Sequence, residues 1–272
     1  MNKLTLHCDR LGQGPNILLA FHGAGQTGHA CYDAFAVHLG DYYTLYAFDL
    51  FFHGQSHGLS GKDDFSDDDI LTKVLWKNFI QDFITTHTIS RFDVAGFSLG
   101  GRYALATAEA FPELTDRLLL MAPDGVVEHP LYALATRFAP ARWIFRQLVR
   151  NPRPLFAVAE TARRLRIIPK NLLYFIRYML DTPEERKRLY RTWVSLRELS
   201  FSIGPLQKVL EANGVEMWLF AGKYDTLFPP ERLKVLSKLL PPARFVILEC
   251  GHNHLVERAA AYLDVVRASR PS

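Results

Sequence analysis

Arg91-Phe-Asp-Val-Ala-Gly96-Phe-Ser98-Leu-Gly100-Gly101 runs straight into Arg102-Tyr103-Ala-Leu-Ala-Thr-Ala108. An apolar, strand-like run ends in a sharp turn that carries one serine between small residues, and a helical run follows. This Gly-x-Ser-x-Gly pattern is a nucleophile elbow, which lifts a hydroxyl off the end of a sheet at the N-terminus of a helix. Gly96 and Gly100 suit it because the turn brings neighbouring backbones too close for Cβ atoms. The same geometry aims the Leu99 N–H and the helix dipole at the place where an oxyanion forms.

Working outward, Asn16–Phe21, Tyr43–Leu50, Arg117–Ala122, Val215–Phe220 and Arg244–Glu249 are further short apolar runs. They suit strands buried on both faces of a parallel sheet. Met1–Cys8 alternates like a strand and lacks the apolar stretch of a signal peptide. Residues 70–84 space their apolar side chains helically, and Ser66 with Asp67, Asp68 and Asp69 offers cap and dipole partners for that helix. Alternating strand and helix predicts an α/β fold, a mostly parallel central sheet with helices on both faces. The alternation breaks between Val126 and Ile203, where amphipathic pieces are punctuated by prolines and Asp181-Thr-Pro-Glu-Glu185 signals a helix start. The expected organisation is therefore a core of residues 1–125 and 204–272, with residues 126–203 inserted as a helical cap, or lid, over the sheet's carboxyl edge.

Composition narrows the function. Of 272 residues 49% are hydrophobic and 22% charged, as in ordinary globular proteins. No run of about 18 apolar residues occurs, so no membrane span is expected. Cys8, Cys31 and Cys250 are an odd, scattered set, which favours reduced thiols and a cytoplasmic setting. Residues 131–200 hold 15 Lys/Arg against 5 Asp/Glu, and the remainder is net acidic. Such a basic segment attracts anionic partners, although solvated helix faces account for it equally, and no nucleic-acid motif accompanies it.

A serine hydroxyl needs a base, and the base an orienting carboxylate. After Ser98 the chain offers Ala221-Gly-Lys-Tyr-Asp225 at the end of one apolar run and Glu249-Cys-Gly-His252-Asn-His254 at the end of the last. Asp124 is the alternative acid, and His254 the alternative base. Phe21-His22-Gly23-Ala24-Gly25 follows the first buried run, and its glycine turn lets the Ala24 N–H face the Ser98 oxygen as a second oxyanion donor. Arg102 is a candidate for binding a substrate carboxylate, or else a surface ion pair. Two competing patterns stand beside these. Gly23-Ala-Gly25-Gln-Thr-Gly28, with Asp49 lying 21 residues beyond Gly28, is the dinucleotide fingerprint on paper. His53 and His57 have helical metal-ligand spacing, but they sit in a glycine-bearing loop with no accompanying glutamate base, so no metal is expected.

Together the His22-Gly23 turn, the loop from Asp49 to Ser56, the elbow, Asp225, and Gly251-His252 with Glu257 resemble the α/β-hydrolase family over residues 14–125 and 205–268. Phe52 departs from the commoner pattern, which has glycine there. The resemblance implies a carboxylesterase-like serine hydrolase without cofactor. Ser98 is its nucleophile, His252 its base, Asp225 the orienting acid, and the Ala24 and Leu99 N–H groups its oxyanion hole. It also prefers Asp225 to Asp124, because in this fold the acid commonly follows the later strand. The expected partner is a small molecule, anionic or acyl-chain-bearing. Gly-Phe-Ser-Leu-Gly-Gly-Arg102 is similar also to the menaquinone-pathway lyase of this fold, so cleavage of a C–C bond in an anionic substrate is the alternative. A non-catalytic ligand-binding protein and an NAD-dependent dehydrogenase are the alternatives of other classes.

Overall fold

The computed structural model describes residues 5–58, 65–125, 128, 130–165, 170–237 and 244–269. Seven strands form one sheet: β1 (Cys8–Leu11), β2 (Asn16–Phe21), β3 (Tyr43–Phe48), β4 (Phe92–Phe97), β5 (Thr115–Met121), β6 (Glu216–Gly222) and β7 (Phe245–Leu248). Their order across the sheet is β1-β3-β2-β4-β5-β6-β7, and all neighbours are parallel except β1, which pairs antiparallel with β3. The fold is thus the mostly parallel α/β sheet that the apolar runs predicted, in the α/β-hydrolase arrangement that the resemblance implied. The edge strand differs from expectation. Among the described residues it starts at Cys8 rather than spanning Met1–Cys8, because pairing with Leu45–Phe48 selects Cys8–Leu11; residues 1–4 lie outside the description.

Successive residues along each central strand bury on opposite faces, which is why these strands read as unbroken apolar runs. Leu18, Ala20, Ala95, Phe97 and Phe220 pack beneath α1 (Gly28–Leu39) and α11 (Leu255–Ala268). Leu19, Phe21, Val94, Leu120 and Leu219 pack on the other face, beneath α2 (Lys73–Thr86) and α3 (Gly100–Ala110). From β2 the chain leaves through α1 towards one edge of the sheet, and from β4 through α3 towards the other. The carboxyl ends of β2 and β4 therefore flank the crevice where the winding direction reverses, the place at which open α/β sheets collect ligands.

Between β5 and β6 the described elements are all helical: α4 (Pro130–Arg137), α5 (Ala139–Arg150), α6 (Arg153–Arg164), α7 (Lys170–Met179), α8 (Pro183–Ser195), a 3-10 turn (Leu196–Glu198) and α9 (Ile203–Ala212); α10 (Pro230–Ser237) lies between β6 and β7. The Asp181-Thr-Pro signal is met: Thr182 caps α8, Glu185 closes the capping box, and Pro183 occupies the first turn. Val126, the expected start of the insertion, lies outside the described residues. Val149, Met179, Leu180, Leu189, Tyr190 and Val194 give the insertion a small apolar core of its own, which also packs against Ala24 and Phe65.

The start of α2 is corrected. Thr72, not Ser66, caps it by accepting from Leu75 N–H (3.1 Å), and the helix begins at Lys73. The acidic residues upstream are drawn to the insertion's arginines instead. Asp67 Oδ2 accepts from Arg142 Nε (2.9 Å) and pairs with Arg146 Nη2 (2.8 Å), while its Oδ1 accepts from the Tyr190 hydroxyl (2.5 Å). Asp69 pairs with Arg191 (3.1 Å), and both are buried. Burial alone raises the Asp67 carboxyl, but the Tyr190 hydrogen bond and the two arginines outweigh it and hold the group below the usual carboxylate range. Four charge-assisted contacts thereby tie the insertion to the segment that precedes α2. Asp67→Ala is expected to lower unfolding free energy by about 1–2 kcal/mol. Urea denaturation checks this, and limited proteolysis is expected to find new cuts within α4–α6 of the variant.

Candidate active site

The elbow forms because its glycines permit a very close approach. A Cβ on Gly100 would stand 1.9 Å from the Phe21 carbonyl oxygen, and one on Gly96 2.6 Å from the Gly100 oxygen. Helix α3 can therefore start hard against the end of β2. Ser98 takes φ +49°, a left-handed conformation unusual for serine. Three backbone hydrogen bonds hold it there: Ser98 N–H donates to Met121 O (2.9 Å), and Ser98 O accepts from Gly101 N–H (2.9 Å) and Asp124 N–H (2.8 Å). The Ser98 side chain is partly exposed, at the carboxyl edge.

Asp225 and His252 meet across the loops that leave β6 and β7. Tyr224 N–H donates to Cys250 O (3.0 Å) and Lys223 N–H to Leu248 O (2.8 Å), lacing the two loops together. Asp225, 3% exposed, accepts at Oδ2 from His252 Nδ1 (2.6 Å) and at Oδ1 from the Leu227 and Phe228 N–H groups (2.8 Å each). Burial raises its carboxyl, but His252 and these two N–H groups prevail and keep it below the usual carboxylate range. The imidazole lies between two rings, with Phe97 at 4.8 Å and Phe228 stacked on it at 5.6 Å. Because Nδ1 donates to Asp225, the bare Nε2 is left as an acceptor. Phe97 is the residue immediately before Ser98, so the packing that seats His252 also sets it beside the elbow.

The alternatives sort by their partners. Asp124 is turned to Arg102, accepting from Nε (2.8 Å) and Nη2 (3.4 Å). His254 is exposed beside Glu257 (3.5 Å) and precedes α11. Arg102 is neither a surface residue nor open to a ligand: 1% exposed, it engages Asp124, Glu128 and Leu199 O, and lies over the Tyr132 ring at 4.5 Å. Asp49, the acid of the dinucleotide pattern, points inward, accepting from Gly28 N–H (2.8 Å) and Gln55 N–H (2.9 Å). No carboxylate is left there for a ribose. Phe52, at φ +66°, adopts the backbone that the expected glycine would take, and Arg191 lies over its ring at 4.3 Å.

The turn after β2 is braced by a buried histidine pair. Leu50 N–H donates to His22 Nε2 (3.0 Å), so the His22 proton sits on Nδ1 and is donated to Gly23 O (2.6 Å). His53 packs edge-on against it at 5.1 Å. Among the described residues no acceptor takes the Ala24 or the Leu99 N–H. Sequence reasoning missed Phe97 and Phe228 as the walls of the imidazole. Their signal was positional: one precedes the elbow serine, and the other lies three residues after Asp225 in a turn closed by the aspartate. Tyr178, one of the aromatic side chains of the insertion, packs against the turn; its ring and hydroxyl lie 3.6 and 3.7 Å from where a Gly25 Cβ would be.

The model of the alpha/beta hydrolase family matches residues 17–265. An uncharacterized protein of Mycobacterium tuberculosis is 26% identical over 270 residues, covering 94% of this chain and 75% of its own. Among solved structures, a thermophilic esterase from Thermogutta terrifontis superposes with a TM-score of 0.67 at 18% identity, covering 97% of this chain and 92% of that one. A meta-cleavage product hydrolase from Pseudomonas fluorescens IP01 superposes at 0.59 and 18% identity, covering 96% and 92%.

Desolvation pushes His22 down to about 4 and, with the neighbouring His22, His53 to about 3. Both stay neutral when folded but regain ordinary histidine values on unfolding, so the unfolded chain binds more protons in the window between. Stability is therefore complete above about pH 6.5 and declines as the pH falls towards 4, by roughly 3 kcal/mol for His22 alone. Thermal melts across that range check it, and His22→Asn is expected to flatten the decline.

Proposed function

Because the chain belongs to the alpha/beta hydrolase family, we propose that it is a serine hydrolase that cleaves small-molecule carboxylic esters through an acyl-enzyme. The observation that carries this reading is the His252–Asp225 hydrogen bond of 2.6 Å, with the imidazole packed on Phe97 next to Ser98. Asp225 fixes the tautomer in which Nε2 is free to take a proton. Ser98 Oγ attacks the acyl carbon as its proton passes to Nε2, and the oxyanion is received by the Ala24 and Leu99 N–H groups and the α3 N-terminus. Nε2–H then protonates the departing alkoxide, leaving the acyl group on Ser98. A water gives its proton to Nε2 as it attacks the acyl carbon, and Nε2–H returns that proton to Ser98 Oγ as the C–Oγ bond breaks, releasing the acid. Neither a metal nor an organic cofactor enters this sequence. The insertion serves as the cap, its inner apolar core reaching Ala24.

Cleavage of a C–C bond in an anionic substrate draws less support. It calls for a cation turned to the substrate, and Arg102 is engaged by Asp124 and Glu128. The test is turnover of p-nitrophenyl esters of rising chain length by the protein and two variants. Ser98→Ala is expected to lose about 10⁶ in kcat, and Asp225→Asn about 10⁴. Turnover that survives in Ser98→Ala would contradict the proposal. A protein inert towards every ester but active on a meta-cleavage product, the compound class named for the Pseudomonas fluorescens hydrolase, would transfer the same residues to C–C cleavage.

A further inference from the structure

The helices of the insertion expose an unusual set of side chains. Leu134, Phe138, Trp143, Ile144, Val158 and Tyr174 are large apolar side chains that stand 51–67% exposed. They are not scattered at random. Leu134 and Phe138 are one turn apart at the end of α4, Trp143 and Ile144 stand together on α5, and Tyr174 lies one turn before Tyr178 on α7. α4 packs on α5, α5 on α6 and α6 on α7, so these stripes belong to adjoining helices. Isolated exposed apolar residues need no explanation, but repeated stripes on neighbouring helices do.

The charge around them is predominantly positive. Residues 130–179 contain ten Lys/Arg and a single acid, Glu160. Glu160 is shared by Arg163, Arg164 and Arg177, Asp67 by Arg142 and Arg146, and Glu128 pairs with Arg137, so three acids are set against the ten cations. The whole chain is +4 while residues 131–200 alone are +10, which leaves −6 on the rest. The molecule is therefore polarised, with its positive pole on the same helices that expose the apolar stripes.

From this coincidence we infer that the exposed apolar and basic surface of α4–α7 docks on an anionic lipid bilayer. Helices with aromatic and aliphatic side chains on one face and arginines beside them lie in the headgroup boundary, the rings entering the acyl region and the guanidinium groups meeting lipid phosphates. Arginine stems can lie along the apolar surface while their charged ends stay in the headgroup layer. The acidic remainder orients the protein insertion-first. Helix α7 carries Tyr174 on this surface and Tyr178 beside Gly25, so the docked face adjoins the turn after β2. Docking itself does not depend on the ester reading.

Sedimentation with large unilamellar vesicles tests it, using full-length Ser98→Ala so that no lipid is turned over. Binding to vesicles of equal phosphatidylglycerol and phosphatidylcholine is expected, with little binding to phosphatidylcholine alone and release by salt. Each removed cation is expected to weaken binding about fivefold, so Arg153→Glu with Arg164→Glu should weaken it more than about tenfold. Trp143→Ser with Ile144→Ser should weaken it roughly tenfold while leaving the melting temperature unchanged, since both side chains are exposed. Equal binding to neutral and anionic vesicles, or full binding by both double variants, overturns the proposal. So does a dimer seen by light scattering that Trp143→Ser with Ile144→Ser dissociates, because a second copy would then cover the face.

Discussion

The contact on which the rest of the molecule depends is the approach of α3 to the end of β2. The Phe21 carbonyl oxygen lies where a side chain at residue 100 would begin. Glycine there lets the helix start directly behind the strand, and the intervening residue, Ser98, is forced into a left-handed backbone and held by hydrogen bonds from both sides. Any wider spacing would part Ser98 from the His22–Gly25 turn. A local steric allowance is thus converted into a site geometry, with the left-handed strain at Ser98 opposed by the packed sheet around it.

Around that contact, polar groups are placed so that each fixes another. The Leu50 amide fixes the tautomer of His22, whose remaining proton steadies Gly23. Asp225 is held by the amides of its own turn and in turn holds His252. Arg102, buried one residue beyond the glycines, draws Asp124 away from the imidazole and anchors the chain as it leaves β5. The insertion is tied down by the same kind of bond, through Asp67 and Asp69, while its outward surface stays apolar and basic.

Much of this was legible in the sequence where a single local constraint governs. The central strands are buried on both faces and read as apolar runs; the elbow is written in its glycines; Thr182 and Glu185 announce α8. What depends on distant partners was not legible. Ser66–Asp69 has the composition of a helix start, yet Asp67 and Asp69 gain more from arginines more than seventy residues away than from the α2 dipole, so Thr72 takes the cap. Arg102 looked like a surface cation because nothing near it in sequence foretells Leu199 O and the Tyr132 ring. The insertion was readable as helical, with the start of α8 marked, whereas its placement over the turn after β2 follows from packing of Met179, Tyr190 and Ala24.

Covalent trapping shows whether Ser98 is a nucleophile primed by His252 and Asp225. The folded protein is treated with a fluorophosphonate, and the adduct is located by peptide mass spectrometry. One phosphonyl group is expected, on Ser98, formed slowly when His252 is replaced by alanine. A folded protein that takes up no reagent, or takes it up on another residue, would contradict it.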